Sequence, residues 1–284
     1  MSLFRISLGS NNELKANTPD EIIQITNLVG DVDIKETTPV EKVGNIFLKR
    51  DDKFEIHGVC GGKSRSAYQL ILDGLNRGYN EFVTAGSRMS PQCEIVSYLC
   101  QSLGVKCHLF MPTGKDTSVI ENIGNNDLSE LHRIKVGYNS VIIKRAKDFA
   151  GENKFYYIPF GMECEENIEV TKHQVCNIPD NIKRIVMPVG SGMSFISVMN
   201  GLEHYKMYGI EVLGVSVGTD VTKNLQKYLR APNIKYNIVK SELNYDDAVE
   251  NNFIGDVELD KIYEAKCLPY LKDNDLLWIV GKRL

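Results

Sequence analysis

His57-Gly-Val-Cys-Gly-Gly-Lys-Ser64 is the stretch of this 284-residue chain on which the rest of the reading turns. Two consecutive glycines precede a lysine, and a helical pattern follows. Over residues 64–77, Ala67, Leu70, Ile71, Gly74 and Leu75 share one face at helical spacing. The segment is one residue short of the phosphate-binding pattern G-x-x-x-x-G-K-[ST], because only three residues separate Gly58 from Gly62. A P-loop also follows its strand directly, whereas residues 51–56 intervene here after a strand candidate at 46–50. A nucleotide-binding P-loop is therefore the weaker reading. One alternative is a flexible glycine turn with a solvated lysine. The other is a nucleophile: the positive end of a helix dipole disfavours an ammonium and favours a neutral amine. Two glycines ahead of Lys63 let a ligand approach closely, which makes it a candidate Schiff-base lysine.

A second glycine segment shifts the balance. Val186-Met-Pro-Val-Gly190-Ser-Gly-Met-Ser194 ends a hydrophobic strand and opens a helix. The backbone N–H groups of Gly190, Ser191, Gly192, Met193 and Ser194, with the two hydroxyls, suit a dianionic phosphate at a positive helix end. It is not the dinucleotide fingerprint, whose third glycine falls at Phe195. A lysine that captures an electrophile, together with a separate phosphate cup, is the pair that pyridoxal phosphate requires.

Working outward, short β-branched runs alternate with longer helical patterns, predicting an α/β fold with mainly parallel sheets and crossover helices. Strands are expected at 46–49, 81–84, 106–111, 155–158, 183–189, 211–217, 234–239 and 276–280. Helices are expected at 64–77, 91–103, 138–150, 194–208 and 221–229, with Pro91 in a first turn and Ser90 as its N-cap. Residues 114–127 are polar and read as a loop or lid edge. The length suggests about two domains, though no linker marks a cut. With 33 Lys and Arg against 37 Asp and Glu, the net charge of −4 argues against non-specific nucleic-acid binding. No run of about 18 apolar residues predicts a membrane helix, and residues 1–10 lack the apolar core of a secretory leader. Seven cysteines without a CxxC pair read as thiols in a reducing cytoplasm. Cys164, His173 and Cys176 fit no tetrahedral zinc spacing, so no metal is expected. His57, His108 and His132 show no partner pattern and are read as structural.

Taken together, these segments resemble the fold type II, tryptophan-synthase-β-like pyridoxal-phosphate enzymes. Within them, the chain is similar to the 1-aminocyclopropane-1-carboxylate deaminase and D-cysteine desulfhydrase branch. Thr38-Pro-Val-Glu41 and Phe47-Leu-Lys-Arg-Asp-Asp52 resemble the family's "TP" and "KRDD" segments. Gly61-Gly-Lys63-Ser-Arg65 resembles "GGNKxRK", and Thr84-Ala-Gly-Ser-Arg-Met-Ser-Pro-Gln92 resembles "TxGGxQSNQ". Ile158-Pro159-x-Gly161 is similar to "IPxGG", Gly190-Ser-Gly-Met-Ser194 to "GSGGT", and Asp260-Lys-Ile-Tyr-Glu-Ala-Lys266 to "DPVYEGK". The departures are Gly62 for the asparagine before the lysine, Ser66 for the lysine after it, and Pro91 for an asparagine beside the cofactor. Met162-Glu-Cys-Glu-Glu166 replaces a glycine-rich substrate loop, and "HTGG" survives only as Trp278-Ile-Val-Gly281.

The resemblance implies two three-layer α/β/α domains: a discontinuous cofactor domain of residues 1–63 and 160–284, and an inserted domain of 64–159. It implies a homodimer, a pyridoxal 5'-phosphate cofactor and a small amino-acid or amine substrate. Lys63 is implied as the Schiff-base lysine, with Ser90 and Tyr263 as acid/base groups. Gln92 is implied beside the cofactor ring, residues 190–194 at its phosphate, and Glu264 at the pyridine nitrogen, which an adjacent carboxylate keeps protonated. Plainer roles stay open: an N-cap for Ser90, core packing for Tyr263, a helix surface for Gln92 and a solvated position for Glu264. The acidic run at 163–169 reads as a solvated loop, or else as a selector for a cationic substrate. The expected activity is a lyase or deaminase reaction at Cα or Cβ. The altered segments leave open decarboxylation or β-replacement on an amino-acid group, including one carried by a larger molecule. They also leave open a catalytically inactive cofactor-binding scaffold.

Overall fold

The apolar strand Arg184–Val189 lies in the middle of a six-stranded sheet, because its residues must be covered on both faces. On one side run Glu211–Ser216 and then Tyr236–Lys240; on the other run Leu276–Ile279, Ile46–Arg50 and the edge strand Val40–Val43. All neighbours are parallel except Val40–Val43, which folds back on Ile46–Arg50 as a hairpin. The computed structural model describes residues 5–8, 12–15, 33–135, 138–218 and 220–281. Most of residues 1–10, where no secretory leader is expected, lie outside the described residues.

A second sheet has four parallel strands in the order Tyr156–Tyr157, Glu81–Ala85, Lys106–Pro112 and Ser129–Ile134. The helices Gly62–Asn76, Pro91–Ser102 and Ser118–Gly124 cover one face. Asn139–Asn153 covers the other through Ile142, Ala146 and Ala150. In Gly62–Asn76 the predicted stripe is buried except for the half-buried Leu75, and Gly74 lets the helix sit close to the sheet. A Cβ there would lie 2.5 Å from Phe82 Cε1. The six-stranded sheet is covered on one face by Met193–His204 and its neighbours, and on the other by the 3₁₀ segment Glu264–Tyr270. The result is a mixed α/β fold with mostly parallel sheets, as the alternating pattern predicts.

Three expectations are corrected. Residues 114–127 are not all loop: Ser118–Gly124 is helical, because Val119, Ile120 and Ile123 form a short buried stripe. Ser129–Ile134 is a strand that the apolar pattern does not predict; its polar residues are tolerated at a sheet edge. The acidic run at 163–169 is largely the helix Glu165–Thr171, with Asn167, Ile168 and Val170 buried, rather than a solvated loop. Glu165 and Glu166 occupy the first turn, where the dipole favours anions.

Candidate active site

Parallel strands end where their side chains and the following turns open a crevice, a usual position for a ligand in α/β sheets. Here the ends of the central strands, the Gly61 turn and the Glu264 segment border one cleft of about 740 Å³, counted out to its open mouth. Lys63, Pro91, Ile95, residues 190–194, Tyr263 and Glu264 all line it.

Lys63 stands in the first turn of its helix. Gly61, the N-cap, has φ +97°, which favours glycine. Gly62 donates its N–H to the Val280 carbonyl at 2.9 Å, and a Cβ at Gly62 would lie 2.5 Å from Asp51 Oδ2. Any side chain at Gly62 would therefore press on the Asp51 carboxylate as it stands here. Asp51 accepts from Arg65 Nη1 at 2.9 Å, and both side chains are buried, with the guanidinium 4.0 Å above the Phe54 ring. Ser66 is buried and donates to Asn167 Oδ1 at 2.6 Å. Lys63 itself is half-buried. Burial pushes the Cys93 thiol well up, Cys107 adds to this, and the Lys63 charge opposes it.

The glycine turn after Val189 is shaped by contact as much as by dihedral freedom. Gly192, with φ +85°, is the N-cap of Met193–His204, and no side chain caps that helix. The first N–H groups therefore point out from a positive helix end, the arrangement that binds phosphate. A Cβ at Gly190 would lie 2.2 Å from Tyr263 Oη, so only glycine admits the tyrosine hydroxyl there. Ser191 Oγ donates to the Gly161 carbonyl at 3.1 Å, tying the cup to the Ile158-Pro159-x-Gly161 turn.

Glu264 is buried, and its Oε1 accepts the Val280 N–H at 2.9 Å. Its Oε2 is buried with no hydrogen-bond partner. Burial pushes this carboxyl up to about 8, and Asp260 adds to the shift against backbone hydrogen bonds from residues 264 and 280. Val280 therefore links two parts of the site, donating to Glu264 and accepting from the turn ahead of Lys63. Sequence reading misses this residue because it acts through its backbone.

Ser90 and Gln92 are placed differently. Ser90 is the N-cap of Pro91–Ser102, its Oγ accepting from Gln92 N–H at 3.3 Å. The buried Gln92 amide donates to Thr84 Oγ1 at 2.9 Å and to the Pro159 carbonyl at 2.8 Å. Neither residue lines the cleft; their helix reaches it through Pro91 and Ile95. The 163–169 run does not line it either, although Glu163 Oε1 lies close to Gly161, against which the cleft-lining Ser191 packs.

These features fit pyridoxal phosphate. An unpartnered buried carboxylate oxygen suits a protonated pyridine nitrogen, uncapped amides suit the phosphate, and an amine shares the same cleft. Fold and site define an enzyme class that carries this cofactor between α/β layers. The comparisons agree: residues 26–250 match the family described as "Pyridoxal-phosphate dependent enzyme", and the chain belongs to that family. Its cofactor is pyridoxal 5'-phosphate.

Among relatives, an "O-seryl-dTMP PLP-dependent decarboxylase" of Salmonella phage ViI is 27% identical over 200 residues, covering 58% of this chain and 46% of that protein. A 1-aminocyclopropane-1-carboxylate deaminase of Cyberlindnera saturnus is 23% identical over 228 residues, covering 72% and 66%. The chain thus spans about half the length of the first and just under two thirds of the second. Among solved structures, an "ACC deaminase homologue" superposes with TM-score 0.76 at 17% identity, over 91% of this chain and 94% of that one. Threonine deaminase isoform 2 from Solanum lycopersicum superposes with TM-score 0.64 at 16% identity, over 96% and 87%. These two likenesses speak to the fold alone.

Proposed function

We propose that the chain is a lyase acting at the α-carbon of an amino-acid group, with Lys63 as the residue that carries the cofactor. The observation behind this reading is the shared cleft of Lys63, the uncapped Gly190–Met193 turn and the buried Glu264 carboxylate with its unpartnered oxygen. When bound, pyridoxal phosphate supplies the sink for the electron pair left on Cα. Lys63 would hold the cofactor, and its amine would be the group that moves a proton at Cα. The amides and hydroxyls of residues 190–194 would hold the phosphate, and Glu264 Oε2 would be the partner that keeps the pyridine nitrogen protonated. That retained proton favours reactions through a Cα carbanion. Tyr263, against Gly190, is the nearby hydroxyl for proton transfer; Ser90 is assigned the same role only by resemblance.

Decarboxylation is the form of lyase chemistry that one further observation favours. The Ser90 helix meets the cleft at Pro91, which has no N–H, and at the apolar Ile95, while Ser90 already occupies the Gln92 N–H. A carboxylate against that wall finds few donors, and poor solvation favours its loss as carbon dioxide. The likeness to the phage decarboxylase points the same way and suggests an amino-acid group carried by a nucleotide. Deamination of a small amino acid is the other outcome, in line with the deaminase relative. Under the same reading the chain forms two domains, of 1–63 with 160–284 and of 64–159. We also take it to be a cytoplasmic homodimer, as the resemblance and the scattered cysteines suggest. No helix among the described residues is long and apolar enough to cross a membrane.

The test is reconstitution with pyridoxal phosphate. A visible absorbance band that borohydride fixes to Lys63 is expected, followed by assays for carbon dioxide and ammonia with small amino acids and an O-seryl nucleotide. A colourless preparation with Lys63 intact overturns the proposal. Ammonia without carbon dioxide overturns the decarboxylase form of it.

A further inference from the structure

On the face of the four-stranded sheet that Asn139–Asn153 covers, where Phe149 packs against both rings, two histidines and a glutamate converge. Parallel pairing sets His108 opposite Glu130 and Phe110 opposite His132. His108 Nδ1 lies 3.2 Å from His132 Nε2 and 3.5 Å from Glu130 Oε2, and His132 Nε2 lies 3.4 Å from Glu130 Oε1. We propose that His108 Nδ1, His132 Nε2 and the Glu130 carboxylate form a binding site for a divalent transition-metal ion, with zinc as its best-fitting occupant.

Three observations carry this. The first is spacing. Zinc bonds nitrogen and oxygen at about 2.0–2.2 Å, so neighbouring corners of its tetrahedron stand about 3.3–3.5 Å apart. The observed separations lie near that spacing, with the Glu130 carboxylate turning Oε2 toward His108 and Oε1 toward His132, so three side chains converge on one point and leave room for water or another ligand as a fourth. The second is proton placement. His108 Nε2 faces Glu81 Oε2 at 2.9 Å, which calls for an N–H there. That contact on Nε2 leaves Nδ1 as the nitrogen aimed at His132 and Glu130. Two imidazole nitrogens and a carboxylate thus meet at one point, the donor set a cation would satisfy. Glu81 is also the carboxylate that commonly orients a metal-bound histidine from behind.

The third is rigidity. The His108 ring stacks on Phe155 with centroids 5.1 Å apart and planes 5° from parallel. The His132 ring stacks on Phe110 at 4.4 Å and 11°. Both rings are thus held with their nitrogens converged before any ion arrives, which lowers the ordering cost of binding. Imidazole with carboxylate suits zinc, nickel or copper better than the oxygen-seeking magnesium or calcium. Sequence alone hides the site, because His108 and His132 lie on separate strands and meet only through pairing register.

Chelator-treated holoenzyme titrated with zinc, desalted and analysed for bound metal tests the inference. One zinc per chain is expected, with a raised Tm and ligand-field bands when cobalt(II) replaces it. Glu130→Gln and His132→Gln should each weaken zinc binding by at least about tenfold, while far-ultraviolet circular dichroism stays unchanged. Glu130 is largely exposed, so its variant keeps the test valid if the histidine variant fails to fold. Absence of zinc from the wild-type protein, or equal zinc affinity in both variants and wild type, overturns the proposal.

Discussion

Glu264→Gln isolates the cost of burying one carboxylate. In the folded cofactor-free protein burial pushes this group from 4.5 up to about 8. The native state therefore keeps a proton that the unfolded chain releases as pH rises through the lower value. With fewer protons bound to the unfolded chain, stability falls with rising pH between about 4.5 and 8 and levels off above. A separation of roughly 3.5 pKa units at about 1.36 kcal/mol each sets a ceiling of about 5 kcal/mol. Glutamine keeps an oxygen for the Val280 N–H but never ionises, so the variant should lack this loss. Urea unfolding of both apoproteins near the two ends of that window gives the answer as a difference of differences. Histidines and the buried Lys49 titrate in both proteins and cancel. The reasoning is refuted if Glu264→Gln loses as much stability across the window as the wild type. Pyridoxal phosphate should suppress the loss in the wild type, because a pyridine N–H donated to Oε2 stabilises the ionised form.

Other perturbations follow from contacts already described. Gly190→Ala places a methyl group 2.2 Å from Tyr263 Oη. Overpacking of this kind costs roughly 1–3 kcal/mol, so cofactor affinity should fall about tenfold or more by absorbance titration. Asp51→Ala strands the buried Arg65 charge and should cost about 3–5 kcal/mol in urea unfolding. Adding Arg65→Met should recover much of that, and simple additivity of the two losses would count against the pairing. Ser90→Ala removes an N-cap and should cost about 1 kcal/mol. An unchanged midpoint would show that the cap contributes nothing.

Much of the lining of the candidate site was legible because residue type at short range marks it. Lys63 behind Gly61-Gly62, and the Gly190-Ser-Gly-Met-Ser194 turn, announce themselves as glycine-rich helix starts, and both line the cleft. Glu264 was legible only through its resemblance-bearing neighbours, since an isolated glutamate has no pattern that separates a buried partner from a solvated one. Gln92 shows the converse. Its type and position suggest a place beside the ligand, but Thr84 and Pro159 occupy its amide donors.

The sequence by itself determined the alternation of strands and helices, and with it the parallel sheets, because apolar periodicity and glycine turns are local properties of the chain. It also carried the motifs that point to the cofactor. Tertiary structure alone decided which atoms share a space. It joined Val280 to both Glu264 and the Lys63 turn, set the Asp51 carboxylate against Gly62, and turned most of the acidic run into a partly buried helix. It also brought His108 and His132 together across two strands. The physical reason is common to all four: burial and hydrogen-bond direction depend on groups far apart in sequence, and no local pattern records where those groups meet.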